Sequence, residues 1–192
     1  MSDRIWKTYK TRMHSEKRYR LYDRVSHLML SYYTLCLISY SIVEIGRPNT
    51  VPYFDVAALI LTVLIFACSL IVWGFQFAAT ANSYRDCYLE LQQLYFNFQN
   101  TKKDNDAYVA ILRKYPNHSD RDYQTLLILQ KHYYGEPVTE GGKIIPIPRA
   151  QIAYFVCRWI FFWFSTIAVF GLPLAPAAWV INDTLCSAPP AP

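Results

Sequence analysis

The one stretch whose residue types suggest bond-making chemistry is Asn117-His118-Ser119-Asp120-Arg121-Asp122. An Asn-His pair with an aspartate five positions after the histidine would suggest a membrane acyltransferase, with the imidazole as general base. Here that fifth position is Tyr123, so the pattern fails. The better reading is a turn, with Ser119 as the N-cap of a following helix. Cys36, Cys68, Cys87, Cys157 and Cys186 form no CxxC pair, and His14, His27, His118 and His132 lack metal-ligand spacing. Cys36 and Cys68 fall in apolar stretches and read as packing residues, whereas Cys186 stands apart and is available for an intermolecular disulfide. There is no phosphate-binding glycine loop and no nucleophile elbow. The expectation is a non-enzyme with no metal and no cofactor.

A second pattern concerns water or helix association rather than catalysis. Asp55, Thr62, Ser69, Gln76 and Ser83 recur every seven residues, and Ala67, Gly74 and Ala81 do the same on a neighbouring line. Seven-residue spacing keeps side chains near one stripe of a helix. In hydrocarbon, polar side chains turn to other helices or to water, and small residues allow close helix approach. Thr34, Ser41 and Glu44 could complete a polar face from an earlier segment. Two readings stay open for the polar stripe: it lines a pore in an oligomer, or it packs against neighbouring helices within one protomer. For Glu44 the simpler place is the outer headgroup layer.

The elements that carry these stripes are membrane helices. Of 192 residues 53% are hydrophobic and only 17% charged, well below the roughly 25% charge of a soluble domain. The charge crowds into residues 1–27 and 82–150. This composition excludes a secreted disulfide scaffold, a nucleic-acid module and a disordered tail. Leu28–Ile45, Val56–Ala79 and Trp159–Ile181 are apolar stretches of about the length needed to cross a bilayer. The third contains Pro173 and Pro176, which cannot donate to the carbonyls of Val169 and Leu172. That kink acts as a gating hinge or a bent packing element. Lys and Arg number eight in residues 1–27 and nine in 80–157, but only one, Arg47, lies between the first two stretches. By the positive-inside rule the N-terminus and residues 80–157 are cytoplasmic and the tail 182–192 is external. Arg158 snorkels at the boundary. The basic, tyrosine-rich N-terminus suits the anionic inner leaflet, and direct nucleic-acid binding is not expected. The first 27 residues, basic and without an apolar core followed by a cleavage site, are not expected to act as a signal peptide.

The predicted organisation is therefore an all-α integral membrane protein. It has a basic cytoplasmic helix (1–27), two N-terminal transmembrane helices with a short external loop (28–79) and a cytoplasmic helical region (80–150). A third, C-terminal transmembrane helix (151–181) and an external proline-rich tail (182–192) follow. The stripe Tyr84, Tyr88, Leu91, Leu94, Tyr95, Phe98 predicts that the second membrane helix runs on to about Asn100. TKKDND reads as a break, followed by helices over 107–114 and 120–134, the latter stopped by Gly135 and Pro137. Residues 138–147 read as a hairpin or an irregular link, with Pro146 and Pro148 favouring the link. Lys102, Lys103, Arg113, Lys114 and Arg121 suit an anionic ligand or a solvated positive-inside face equally well.

The helix order and the segment YPNHSDRDY resemble the SLATT domain family over about residues 17–134. Tyr115, Pro116, Asn117, His118, Asp122 and Tyr123 are the best local match. The family consists of small membrane effectors associated with bacterial nucleotide-signalling and reverse-transcriptase conflict systems. Its name implies two spans, where this chain has three. The resemblance implies an anti-phage effector that forms a pore or disrupts the inner membrane of its own cell, causing abortive infection. Tyr115, Asn117, His118 and Asp122 become candidates for signal reception or assembly. Expected partners are the lipid bilayer, further copies of the chain, and an operon-encoded nucleotidyltransferase or reverse transcriptase or a nucleotide signal. The alternative is a membrane scaffold that anchors a cytoplasmic enzyme complex without opening a pore.

Overall fold

The computed structural model describes residues 2–46, 54–99, 101–136, 138–140 and 143–175. Six helices and one small hairpin follow in order: α1 (Ser2–Gly46), α2 (Phe54–Phe75), α3 (Phe77–Phe96), α4 (Lys102–Lys114), α5 (Asp120–His132), β1 (Thr139–Glu140), β2 (Lys143–Ile144) and α6 (Arg149–Gly171). Contacts divide the chain into two units. One comprises residues 1–23 and 76–158, the other residues 24–75 and 159–192. We call them the polar and the apolar unit.

The polar unit has a conventional core. Ile5 and Tyr9 from α1 meet Cys87 and Leu91 from α3 and Tyr108 from α4. On α3 the buried positions Ala81, Tyr84, Cys87 and Leu91 are three or four residues apart, so the helix turns one face inward. A fully buried leucine such as Leu91 contributes about 2 kcal/mol through the area it removes from water. Helix α4 starts earlier than the charge of TKKDND suggested. Thr101 Oγ1 accepts from Asp104 N at 3.3 Å, and Asp104 Oδ2 accepts from Thr101 N at 3.0 Å. That reciprocal capping box makes the charged run the first turn of the helix rather than a break. Residues 138–147 contain a hairpin after all, pairing Thr139 with Ile144 and Glu140 with Lys143. Pro146 and Pro148 fall beyond it, where no ladder bond is needed.

The helix expected to continue to Asn100 does not. It breaks at Gln76, whose φ of 45° and ψ of 47° are left-handed. Gln76 takes the N-cap position of α3, and its carbonyl accepts from Thr80 N at 3.0 Å. At the N-terminus no break separates residues 1–27 from the first apolar stretch, because α1 is continuous to Gly46. In the apolar unit, α6 gives way to a turn after Gly171, and Leu174 and Ala175 are helical again; the predicted end near Ile181 lies outside the described residues. Pro176, residues 177–181, Cys186 and the tail 182–192 lie outside the described residues, as do residues 47–53.

Among its described residues, the apolar unit has no core of the usual kind. Leu35, Ile42, Leu59, Phe66 and Phe164 are each more than 60% exposed, and Trp73 is 77% exposed. Three helical stretches, Asp3–Gly46, Asp55–Phe96 and Arg149–Gly171, are long and apolar enough to cross a membrane, and none of their most apolar windows is buried. Specific contacts join the end of α6 to α1 within this unit. Tyr33 Oη donates to the Val169 carbonyl at 2.7 Å, Tyr40 Oη donates to that of Pro173, and the rings of Tyr32 and Phe170 lie 5.2 Å apart. The Val169 carbonyl that Pro173 cannot serve is thus taken by Tyr33, with Leu172 N also near it at 3.3 Å.

Candidate functional site

Within the polar unit, the first half of α1 buries Thr11, Arg12 and Ser15 along the face that continues from Ile5 and Tyr9. Helix α5 sets Asp122 opposite them in its first turn, only 2% exposed. A carboxylate there is favoured by the partial positive charge of the helix N-terminus. Asp122 Oδ2 accepts from Ser15 Oγ at 2.7 Å, from Ser119 Oγ at 3.0 Å and from Arg18 Nη2 at 3.0 Å. Ser119 does occupy the N-cap position, with φ −85° and ψ 153°, but its side chain caps nothing. Its hydroxyl donates to Asp122 and accepts from Arg18 Nη1 at 3.2 Å. A cap would need the Ser119 oxygen as acceptor from a backbone amide, and the charged donor Arg18 takes that oxygen with the stronger bond.

The turn before α5 joins the same network. Tyr84 Oη donates to the Asn117 carbonyl at 2.9 Å, and the Asn117 side chain accepts from His118 N at 3.0 Å. His118 is half-buried, and burial, followed by the nearby Arg12, lowers its pKa below the ordinary 6.5. Its Nδ1 is buried without a hydrogen-bond partner among the described residues. Arg12 is 1% exposed and donates from Nη1 to Cys87 Sγ at 2.7 Å, while its Nε has no partner there. Burial pushes the Cys87 thiol up to about 11 in spite of Arg12. Cys87 is therefore a protonated, inaccessible thiol rather than a nucleophile. Tyr115 stands slightly apart from this network. Its hydroxyl donates to Glu90 Oε1 at 2.7 Å, and Lys114 Nζ reaches the same oxygen at 2.6 Å. Those two bonds hold the Glu90 carboxyl below its usual range.

Of the four turn residues singled out from sequence, Asp122 bonds to α1 through Ser15 and Arg18, Asn117 bonds to α3 through Tyr84, His118 feels the charge of Arg12, and Tyr115 anchors α4 to α3. The arrangement is a latch between helices: one buried carboxylate with three donors, flanked by two guanidiniums. Among the described residues no group of His, Cys, Asp and Glu could hold a metal.

A family model described as SLATT_5, SMODS and SLOG-associating 2TM effector domain family 5, matches residues 1–177. The chain belongs to the SLATT family. No curated protein and no solved structure matches it. The family is one of membrane effectors rather than a known enzyme family, and its name points to association with SMODS and SLOG partners. The name counts two spans, whereas among the described residues of this SLATT chain three helices are of membrane-spanning length.

The heptad stripes of this SLATT protein divide at Gln76. Asp55, Thr62 and Ser69, with the small residues Ala67 and Gly74, lie on α2 in the apolar unit, while Ser83 and Ala81 lie on α3 in the polar unit. The left-handed residue between the helices breaks the angular phase that a seven-residue spacing assumes. Ala81 is fully buried in the polar core. The hydroxyls do not wait for outside partners: Thr34, Ser41 and Thr62 donate to the carbonyls of Leu30, Leu37 and Ala58, and Ser69 donates to that of Phe66, at 2.7–2.9 Å. Back-bonding of this kind satisfies a hydroxyl inside hydrocarbon. Glu44 sits half-buried near the end of α1. Beside Gly74, an added Cβ would meet nothing within 4 Å.

Sequence reasoning missed Ser15, Arg18, Arg12, Cys87, Tyr84 and Glu90. The burial of α1's polar face was in principle visible as the spacing of Thr8, Thr11, Arg12 and Ser15 with Ile5. The basic residues around them read instead as a membrane-facing cluster.

Proposed function

We propose that this protein is a membrane effector of a bacterial anti-phage conflict system, which oligomerises through its apolar helices and opens a pore or disrupts the inner membrane on activation, causing abortive infection. The observation that carries the reading is the contrast between the two units. The polar unit has a closed core, whereas the apolar windows of all three membrane-length helices have no buried share. Helices so exposed need lipid or other copies around them. Ala67 and the open space beside Gly74 suit a close approach by another copy. Thr62, Ser69, Thr34 and Ser41 remain the candidate lining, since a back-bonded hydroxyl still offers lone pairs to water; Asp55, Gln76, Ser83 and Glu44 flank them. The Lys/Arg distribution supports a cytoplasmic N-terminus and polar unit and an external C-terminus. The activating partner is an operon-encoded nucleotidyltransferase or reverse transcriptase, or a nucleotide, received by the polar unit near Asn117, His118 and Asp122. Membrane depolarisation and dye uptake on expression, paired with in-cell crosslinking, test this. Crosslinked oligomers without depolarisation or dye entry would instead favour the scaffold reading.

A further inference from the structure

The polar unit ends on two guanidiniums where α1 and α6 leave it. Arg158 is its last residue on α6, and Tyr22 is its last but one on α1. Arg121, in the first turn of α5, donates from Nη1 to Tyr22 Oη at 3.2 Å. Arg158 is close enough to feel the charge of Arg121. Its Cζ lies 5.7 Å from the centre of the Tyr154 ring and 5.8 Å from that of Phe155. Those rings precede it by four and three residues, so the side chain leans back along α6, away from the apolar stretch. Among the described residues, neither Arg121 nor Arg158 has a carboxylate within ion-pair distance. Asp122, beside Arg121 in the chain, is committed to Arg18, Ser15 and Ser119. A phenol oxygen and two ring faces are neutral partners. Two like charges within reach of each other are unfavourable until an anion joins them.

We propose that Arg121 and Arg158 together bind the phosphate of an anionic phospholipid, of the phosphatidylglycerol class, at the membrane boundary beside the polar unit. A guanidinium stacked on a ring keeps its in-plane N–H donors, and that fork matches the oxygens of a phosphate. Basic pockets at the ends of membrane helices take anionic headgroups in this way. The position selects a lipid over a free phosphate ester. Beyond Arg158, α6 continues as Trp159, Ile160 and Phe161, each more than half exposed. Chains tethered to the bound phosphate therefore lie against apolar surface. The lack of a carboxylate partner selects the headgroup. A choline group would bring a cation toward two guanidiniums, whereas a glycerol group brings none. Tyr22 steadies Arg121 at this level, and Tyr154 and Phe155 steady Arg158. The inference goes beyond the proposed function. It needs only a bilayer around the apolar helices, so it holds or fails whether or not a pore opens.

The test is native mass spectrometry of the full-length protein, stripped of lipid in a neutral detergent. It is titrated with phosphatidylglycerol, with phosphatidylcholine of the same chains, and with glycerophosphoglycerol, the deacylated headgroup. One phosphatidylglycerol per chain should be retained at about tenfold lower concentration than phosphatidylcholine. Arg158→Gln and Arg121→Gln should each weaken phosphatidylglycerol about tenfold and leave phosphatidylcholine unchanged. Lys103→Gln, which removes an exposed charge on α4, should change neither. Unaltered melting temperatures establish that the variants fold; if Arg121→Gln melts early, Arg158→Gln decides alone. The proposal is overturned if phosphatidylcholine is retained as well as phosphatidylglycerol, if Arg158→Gln keeps the preference, or if Lys103→Gln lowers it as much. It is also overturned if glycerophosphoglycerol displaces phosphatidylglycerol at matching concentration, which would make a free phosphate ester the ligand.

Discussion

At Arg12 a cation is buried to 1% exposure with a protonated thiol as its hydrogen-bond partner and, among the described residues, no carboxylate within ion-pair reach. Charges in that position cost stability rather than adding to it. Arg12→Met should therefore leave the melting temperature of the detergent-solubilised protein unchanged or raise it. Asp122→Asn has the opposite sign: it strands Arg18 beside a neutral group and should cost about 3 kcal/mol, read from urea unfolding. Ser119→Ala removes one donor to Asp122 rather than a helix cap, at about 1 kcal/mol, and should cost far less in an Asp122→Asn background. Acid should loosen the same region. His118 and His14 have folded-state pKa values lowered from 6.5, so above about 6.5 neither state is protonated and their stability contribution is complete. As pH falls through 6.5 the unfolded state takes up protons first, and that stability is lost. Melting temperature should fall between pH 7.5 and 5.5, and less steeply in His118→Asn. None of these partners was legible in the sequence, because Ser15 and Asp122 are 107 residues apart and only the fold brings them together.

For the helices, hydropathy and period were a good guide to which segments are helical and a poor guide to where they stop. The break at Gln76 left no mark, since glutamine is an ordinary helix former and the apolar pattern runs through it. A left-handed glutamine costs about 1 kcal/mol relative to glycine. Gln76→Gly should recover about that much in chemical unfolding followed by far-ultraviolet dichroism, whereas Gln76→Val, β-branched and more strained at positive φ, should lose more. The start of α4 was missed for a different reason: the charges of TKKDND masked the pairing of Thr101 with Asp104, which needs only the first and fourth residues of that run.

Across the whole molecule, the Lys/Arg distribution predicts which side each unit occupies. Cys87 cannot report on this, since it is fully buried and stays unlabelled on either side of the membrane. An Asp106→Cys variant, exposed on α4, carries the test: membrane-impermeant maleimide on intact cells should miss it and should reach Cys186. Labelling at position 106 would reverse the topology. Bulk on the α2 face probes association. Gly74→Leu meets no atom of its own protomer within 4 Å of the new Cβ, so its fold should be unchanged while the crosslinked oligomer weakens and depolarisation falls. The composition made a membrane protein plain from the outset. What it could not convey is that the hydroxyls on the spans are already bonded to their own helices, which removes the need for a partner that the seven-residue spacing implied.

The tie between Tyr33 and the Val169 carbonyl makes two positions genetically dependent on each other. Proline at 173 withholds the amide that would otherwise reach Val169, and the tyrosine hydroxyl takes its place from another helix. Tyr33→Phe should then be a mild loss, about 0.6 kcal/mol for a bond of this kind within a membrane. Pro173→Ala, by restoring a local donor, should suppress that loss. Sequences that lack the proline would be free to carry phenylalanine at 33, and those that keep it would be expected to keep the tyrosine.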